Sequence, residues 1–266
     1  MITGARGQLG IESAFVLSSL GNIISLDHNR CDVSNQEAVS CTLQHYRPDL
    51  IVNCAAYTAV DEAENNLELA KAINSQGPQI IAQEALKIGS FIIHYSTDYV
   101  FDGRKKGFYT ETDRPNPLNV YGKTKLAGDI ALQNSGTRHV IFRTSWVFSQ
   151  HGKNFLKSIL ELGYEKDKIN VVSDQIGTPT STKFIAETTL NFLRNGGAES
   201  QTSNLFNLTP RDKTNWYELS KYIMNRSMDM GRLNRLKSKN IKPITTKEYS
   251  AKASRPLNSL LSTDKL

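Results

Sequence analysis

The stretch Gly4-Ala5-Arg6-Gly7-Gln8-Leu9-Gly10 spaces its glycines three apart and runs straight into a helical pattern over residues 9–20. Glycine permits the tight turn and lets backbone N–H groups approach a pyrophosphate, whose charge the following helix N-terminus favours. A strand-like run at 22–26 leads to Asp27, 17 residues beyond Gly10. That is close to the offset of roughly 20 at which a carboxylate meets the ribose hydroxyls of an adenosine. Asp32 and Val33 come next and are candidates for the adenine end. Only Met1-Ile2-Thr3 precede the glycines, against about five residues in an ordinary strand, so the first strand is expected to be short.

Working outward, short apolar runs at 22–26, 50–54, 91–95 and 140–144 read as strands. Amphipathic segments at 36–46 and 78–88 lie between them, the second with Ile80, Ile81, Ala85 and Ile88 at helical spacing. Such alternation implies right-handed crossovers and an α/β fold, a Rossmann-like doubly wound parallel sheet covered on both faces. From about Lys153 the rhythm changes. Helical patterns at 154–162, 183–193 and 216–224 mix with extended pieces at 169–173 and 205–208. We therefore expect a dinucleotide-binding domain over 1–150. Residues 151–266 are expected to form mainly a smaller C-terminal substrate-binding lobe, with some segments returning to the sheet.

Composition narrows the class. Hydrophobic residues at 39% and charged residues at 22% are ordinary for a globular protein and exclude disordered and fibrous classes. No apolar run approaches the roughly 18–20 residues that span a bilayer, and the first residues lack the features of a secretory signal. Cys31, Cys41 and Cys54 form no C-x-x-C pair, which argues against a disulfide framework or a zinc site and leads us to expect a cytoplasmic protein. The net charge of +6 is uneven, for residues 211–266 carry 13 Lys and Arg against 5 Asp and Glu. A basic stretch can attract a phosphate-bearing substrate. No aromatic–basic interleaving accompanies it, so neither a nucleic acid nor a membrane is the expected partner.

Tyr121-Gly122-Lys123-Thr124-Lys125 carries the candidate chemistry. A tyrosine and a lysine four apart share one helix face. An ammonium beside a phenol favours phenolate, which is expected to lower the ordinary value of about 10 by roughly 1–3 units. The phenol then becomes a usable general acid or base. Upstream, Tyr95-Ser96-Thr97-Asp98 lies at the end of a buried strand, where ligands of parallel sheets bind, so its hydroxyls are expected beside the tyrosine.

Taken in order, several segments resemble the dTDP-4-dehydrorhamnose reductase family of the extended short-chain dehydrogenase/reductase superfamily. They are the glycine loop, Asn53-Cys54-Ala55-Ala56-Tyr57-Thr58-Ala59-Val60-Asp61-Glu62-Ala63-Glu64, the segments 95–103 and 121–128, Arg143-Thr144-Ser145-Trp146-Val147-Phe148, Asp174-Gln175-Ile176-Gly177-Thr178-Pro179-Thr180 and Arg255-Pro256-Leu257-Asn258-Ser259. The resemblance implies reduction of a 4-keto group on a nucleotide-diphosphate sugar by NADPH or NADH. Tyr121 would be the proton donor, with Lys125 and Thr97 completing the catalytic set. Gly4, Gly7, Gln8, Leu9, Gly10, Asp27, Asp32, Val33, Ala56, Tyr57, Thr58, Tyr95, Tyr121 and Lys125 would line the cofactor. Thr97, Asp98, Trp146, Asn154 and Arg255 would meet the substrate. Asp27 suits a free 2′-hydroxyl, whereas Arg6 or Arg30 would suit a 2′-phosphate. Some relatives use magnesium at a dimer contact, but Ser181-Thr182-Lys183 has lysine where a carboxylate would be needed, so no protein-bound metal is expected. The resemblance leaves room for a homodimer. The same scaffold serves a non-catalytic regulatory subunit of methionine adenosyltransferase and also nucleotide-sugar epimerases and dehydratases, which retain their cofactor through turnover.

Overall fold

Strand β1 (Ile2–Thr3) has only two residues, yet it lies between β2 (Ser25–Leu26) and β3 (Leu50–Asn53) and pairs in parallel with both. A computed structural model describes residues 1–199 and 204–266. Beyond β3 come β4 (Phe91–Thr97) and β5 (His139–Thr144), then the short strands β6 (Val147–Phe148), β7 (Ile169–Val172), β8 (Ile176–Gly177) and β9 (Thr180–Ser181). They are followed by β10 (Asn204–Asn207), β11 (Thr214–Asn215) and β12 (Ile241–Ile244). The main sheet has six parallel strands in the order β10-β5-β4-β3-β1-β2. The chain leaves β1 in one direction to β2 and in the other to β3. That reversal opens the crevice where doubly wound sheets bind ligands.

Strand periodicity builds the two core faces. Ile51, Ile92 and Ile141 face one way, while their neighbours Val52, Ile93, Val140 and Phe142 face the other. Helices α1 (Gln8–Val16), α2 (Gln36–Tyr46), α3 (Val60–Ala63), α4 (Leu67–Lys71), α5 (Gly77–Ile88) and α6 (Val120–Gln133) alternate with these strands. Helices α2, α5 and α6 pack side by side, with Val39, Leu43, Ile81 and Leu132 on the Ile51 face. The sequence pattern at 9–20 divides into α1 and a tighter 3-10 turn at Leu17–Leu20. The pattern at 22–26 shrinks to two paired residues, because β2 is an edge strand and its one partner is itself two residues long.

The later helices are α7 (Phe155–Glu165), α8 (Thr182–Arg194), α9 (Trp216–Asp229) and α10 (Thr246–Tyr249). A separate core of Ile159, Val171, Ile223, Met224, Leu236 and Ile241 joins α7 and α9 to the pair β7–β12. Helix α8 instead packs on α1, placing Ile185 with Ile93 and Phe142, and β10 joins the edge of the main sheet beside β5. Among the described residues no helix is long and apolar enough to cross a membrane.

Candidate active site

The glycine loop is a backbone cradle. Gly4 has φ +64°, and a Cβ there would lie 2.6 Å from Ala55 N. At Gly10 a Cβ would lie 2.2 Å from Gly4 O, so the first turn of α1 sits directly on the loop. The Gly7 N–H donates to Gly4 O at 2.9 Å and closes the turn. Helix α1 has no side-chain cap, so its first amides remain available to an anion. This cradle fits a dinucleotide pyrophosphate. Leu9 packs into the core beneath it. The Gln8 side chain turns to the lobe instead, donating to Lys153 O at 3.2 Å and accepting from Asn154 Nδ2 at 2.9 Å.

Asp27 follows β2 and pairs with Arg6 Nε at 2.8 Å. Arg30 donates its backbone N–H to Asp27 Oδ1 at 3.2 Å but turns its guanidinium to Ser25 O at 3.0 Å, so Arg6 is the arginine whose side chain pairs with Asp27. Asp32 accepts from Ser34 N and Oγ at 2.9 and 2.7 Å, and Val33 is buried under Gly77. Across the crevice, Ala56, Tyr57 and Thr58 follow β3. Their loop is clamped by a residue the sequence reading missed. Buried Asn74 accepts from Tyr57 N at 2.8 Å and donates to Tyr57 O at 3.0 Å and Thr124 Oγ1 at 3.2 Å.

The reacting groups meet where β4 ends on the start of α6. Asn119 caps α6 by accepting from Gly122 N at 2.8 Å. A Cβ on Gly122 would lie 2.2 Å from Tyr99 O, and this close approach seats the helix on the turn after Thr97. The Glu64 carboxylate, also missed, accepts from Val120 N at 2.8 Å at the same helix end. Thr97 and Tyr121 are thereby brought side by side, the Thr97 hydroxyl donating to Asp98 Oδ1 at 3.1 Å and accepting from Tyr99 N at 3.2 Å. Tyr99 lies edge-on to Tyr121, with ring centroids 5.5 Å apart. Burial pushes the Asp98 carboxyl up to about 6, against hydrogen bonds from Ser259 and Thr97, and Asp98 Oδ2 has no hydrogen-bond partner among the described residues.

Lys125 follows one turn after Tyr121, as the spacing predicts, but its effect on the phenol differs from expectation. Its Nζ turns to β4, donating to Tyr95 O at 2.7 Å and lying 3.3 Å from His94 Nε2. Burial raises the Tyr121 phenol above its ordinary value, outweighing the Thr97 hydrogen bond, while Asp98 and Asp129 push the same way. Burial also brings Lys125 down to about 8, against Asp129 and Cys54. Tyr95 is a second correction. Its ring is buried against Phe142 and its hydroxyl meets Thr189 Oγ1 at 2.9 Å, so only its backbone carbonyl reaches the site. Ser96 likewise faces inward, donating to Asp129 Oδ2 at 2.7 Å. Asp129 also lies 3.5 Å from Arg143 Nε and 3.8 Å from His94 Nε2.

On the lobe side, Trp146 has φ +48° and stacks on Trp216, with centroids 3.5 Å apart and planes 10° apart. Trp216 donates to Gln175 Oε1 at 3.1 Å, and Gln175 reaches Thr246 Oγ1 at 3.0 Å. Asn154 is committed to structure: it caps α7 at Lys157 N and donates to Gln8 and to Ser149 O. Arg255 is also paired, meeting Asp61 through Nη1 at 3.1 Å and Nη2 at 2.6 Å. Ala253 N and Ser254 O are tied to Asp61 and Asn119, so residues 253–255 strap the chain over the start of α6. Among the described residues, no three His, Cys, Asp or Glu side chains gather where they could hold a metal ion.

The chain matches the family described as RmlD substrate binding domain over residues 1–266. It is 41% identical to dTDP-4-dehydrorhamnose reductase of Salmonella typhimurium, an alignment covering 100% of this chain and 89% of that protein. It is similar to the crystal structure of dTDP-4-dehydrorhamnose reductase from Bacillus anthracis in complex with NADP, with a TM-score of 0.89 at 34% identity over 100% of this chain and 90% of that one. UDP-glucose 4-epimerase of Thermus thermophilus in complex with NAD shares the fold alone, with a TM-score of 0.79 at 16% identity over 99% and 90% of the two chains.

Proposed function

This chain belongs to the RmlD substrate binding domain family, and from that premise we propose that it reduces dTDP-4-dehydro-6-deoxy-L-mannose to dTDP-L-rhamnose with NADPH or NADH. The observation that carries the reading is Tyr121 on the first turn of α6 beside Thr97 at the end of β4, with Lys125 one turn further on, at the crevice the glycine loop opens. The reduced nicotinamide cofactor supplies hydride when bound. Gly4, Gly7 and Gly10 with the first amides of α1 would hold its pyrophosphate, Asp27 with Arg6 would take the adenosine ribose, and Asp32, Val33 and Ala56–Thr58 would flank the rest.

Tyr121 gives its proton to the sugar O4. A phenol held above its ordinary value stays protonated at neutral pH, which suits a proton donor. Thr97 donates to the oxygen that gains charge, the electrostatic contribution that usually dominates. Lys125 adds positive charge beneath the phenol. The free Oδ2 of Asp98 accepts from a sugar hydroxyl, and the Trp146 ring borders the deoxysugar. We assign the protein to the cytoplasm, the reducing compartment that its free cysteines suit.

The test is loss of NAD(P)H absorbance with a panel of nucleotide-linked 4-keto sugars. Tyr121→Phe should bind cofactor nearly normally while turnover falls about 10²–10⁴-fold, the range for general acid catalysis. Near-normal turnover in that variant rules the assignment out. Stoichiometric consumption of reduced cofactor separates a reductase from an epimerase, which restores its cofactor each cycle.

A further inference from the structure

Beneath the proposed site, a line of buried polar groups runs from β1 across β3 and β4 to α6. Thr3 Oγ1 donates to Asn53 Oδ1 at 2.7 Å, and Asn53 Nδ2 lies 3.1 Å from His94 Nδ1. His94 Nε2 lies 3.3 Å from Lys125 Nζ. All four residues are at most 2% exposed, so none of these groups can exchange its partner for water.

One backbone amide fixes every proton along the line. The Ala55 N–H, which can only donate, reaches the Asn53 side chain at 3.2 Å, so the atom it meets is the acceptor Oδ1. Asn53 Nδ2 must then donate to His94. A ring nitrogen that accepts carries no hydrogen, so the neutral imidazole holds its proton on Nε2. Burial and the neighbouring Lys125 and His139 all disfavour the imidazolium. The Nε2–H therefore points between Lys125 Nζ and Asp129 Oδ1, the latter 3.8 Å away and without a hydrogen-bond partner among the described residues. An ammonium offers only hydrogens toward that N–H, whereas a neutral amine offers a lone pair.

We propose that His94 is a positioning residue for Lys125, whose locked Nε2–H tautomer presents a donor to the lysine nitrogen and thereby weakens its hold on a proton. Two neighbours oppose it, Asp129 on the same helix and Cys54 after β3, and both favour the ammonium. Arg143 on β5 faces Asp129 from the other side and offsets part of its charge. Burial, the largest influence, brings Lys125 down to about 8, below the ordinary lysine value of about 10.4, and the His94 donor acts in the same direction. The consequence for turnover rests on the proposed reduction; the proton positions do not.

The experiment uses the full chain with 15N-labelled histidine and 13Cε-labelled lysine, His94 and Lys125 being assigned from His94→Gln and Lys125→Met. His94 should show a bare Nδ1 and a protonated Nε2, unchanged from about pH 6 to 9, where an ordinary histidine titrates. A proton on Nδ1, or a midpoint inside that window, overturns the proposal. In His94→Gln the amide can turn its oxygen to the ammonium, so the Lys125 midpoint should rise by about one pH unit, the size expected when one hydrogen bond changes sign. An unmoved or lowered midpoint in the folded variant overturns the proposal as well, and the wild-type tautomer decides the case if that variant does not fold. In turnover, the alkaline limb of kcat should move up with the Lys125 midpoint. Spectra that agree in a chain that reduces no keto sugar would remove the reductase reading and leave the His94 assignment standing.

Discussion

On the cofactor side of the cleft, Thr3, Asn53, His94 and Asp129 are at most 2% exposed, whereas the Asp61 and Arg255 side chains that strap the substrate side are 44% and 18% exposed. The first wall is held by backbone contact and buried hydrogen bonds. The second is held by ring contacts around Trp216, a few scattered hydrogen bonds and an ion pair that water reaches. Buried polar groups are costly to leave unmade, while exposed pairs contribute little. The cofactor wall should therefore behave as one rigid unit and the substrate wall as a set of separable ties.

The strongest way to break that contrast is Gly128→Ala. A Cβ there would lie 2.1 Å from Asn74 O, a backbone atom held in place by the Asn74 clamp, so α6 must shift bodily. We expect a loss of about 3 kcal/mol, the upper end for overpacking, read from the urea midpoint. Retained stability would mean that this wall yields as readily as the other. Asn74→Ala should follow at about 2 kcal/mol, because it leaves the Tyr57 N–H and carbonyl without their partner. Its KM for cofactor should rise more than its KM for sugar nucleotide; the reverse would detach Asn74 from the cofactor wall.

Trp216→Ala tests the other wall. The stack on Trp146 and the contact with Phe155, with centroids 4.3 Å apart, are lost, but both lie at the lobe boundary rather than in a closed core. A loss of about 1–2 kcal/mol is expected, with the KM for sugar nucleotide raised and cofactor binding unchanged. Weakened cofactor binding in this variant would show that the two walls are coupled.

The same contrast decides what the sequence could reveal. The glycine loop and the Tyr121–Lys125 pair are legible because their chemistry lies within a few residues, and Thr97 and Asp98 follow from the rule for strand ends. The sheet was legible because Ile51 and Val52, or Ile92 and Ile93, alternate in strands bounded by turns. Asn74, Asn53 and His94 escaped because their bonds join positions 17 to 50 residues apart. His94 in particular interrupts an apolar run, and nothing local marks it as more than an irregular strand residue. The side chains of Tyr95, Asn154 and Arg255 have partners within the fold that the sequence does not announce, Thr189, the start of α7 and Asp61. The amphipathic pattern of helix α8 records that one face is buried, not which layer buries it.

Asp61→Asn should have the smallest effect, and its pH dependence identifies the cause. The Arg255 hydrogen bonds, followed by that of Ala253 N against a desolvation cost, hold the Asp61 carboxyl below its usual range. A depressed folded value means that the pair stabilises the protein above the unfolded carboxyl value of about 3.9 and loses that contribution as pH falls further. Because Asp61 is 44% exposed, the full contribution is at most about 1 kcal/mol. The difference in melting temperature between wild type and Asp61→Asn should thus be small and constant from neutral pH down to about pH 5, then close in more acid solution. The KM for sugar nucleotide should rise by no more than about five-fold, the equivalent of that energy. A gap that persists in acid would assign the strap to the Ala253 N–H bond to the Asp61 side chain rather than to the ion pair, and the substrate wall would then resemble the cofactor wall after all.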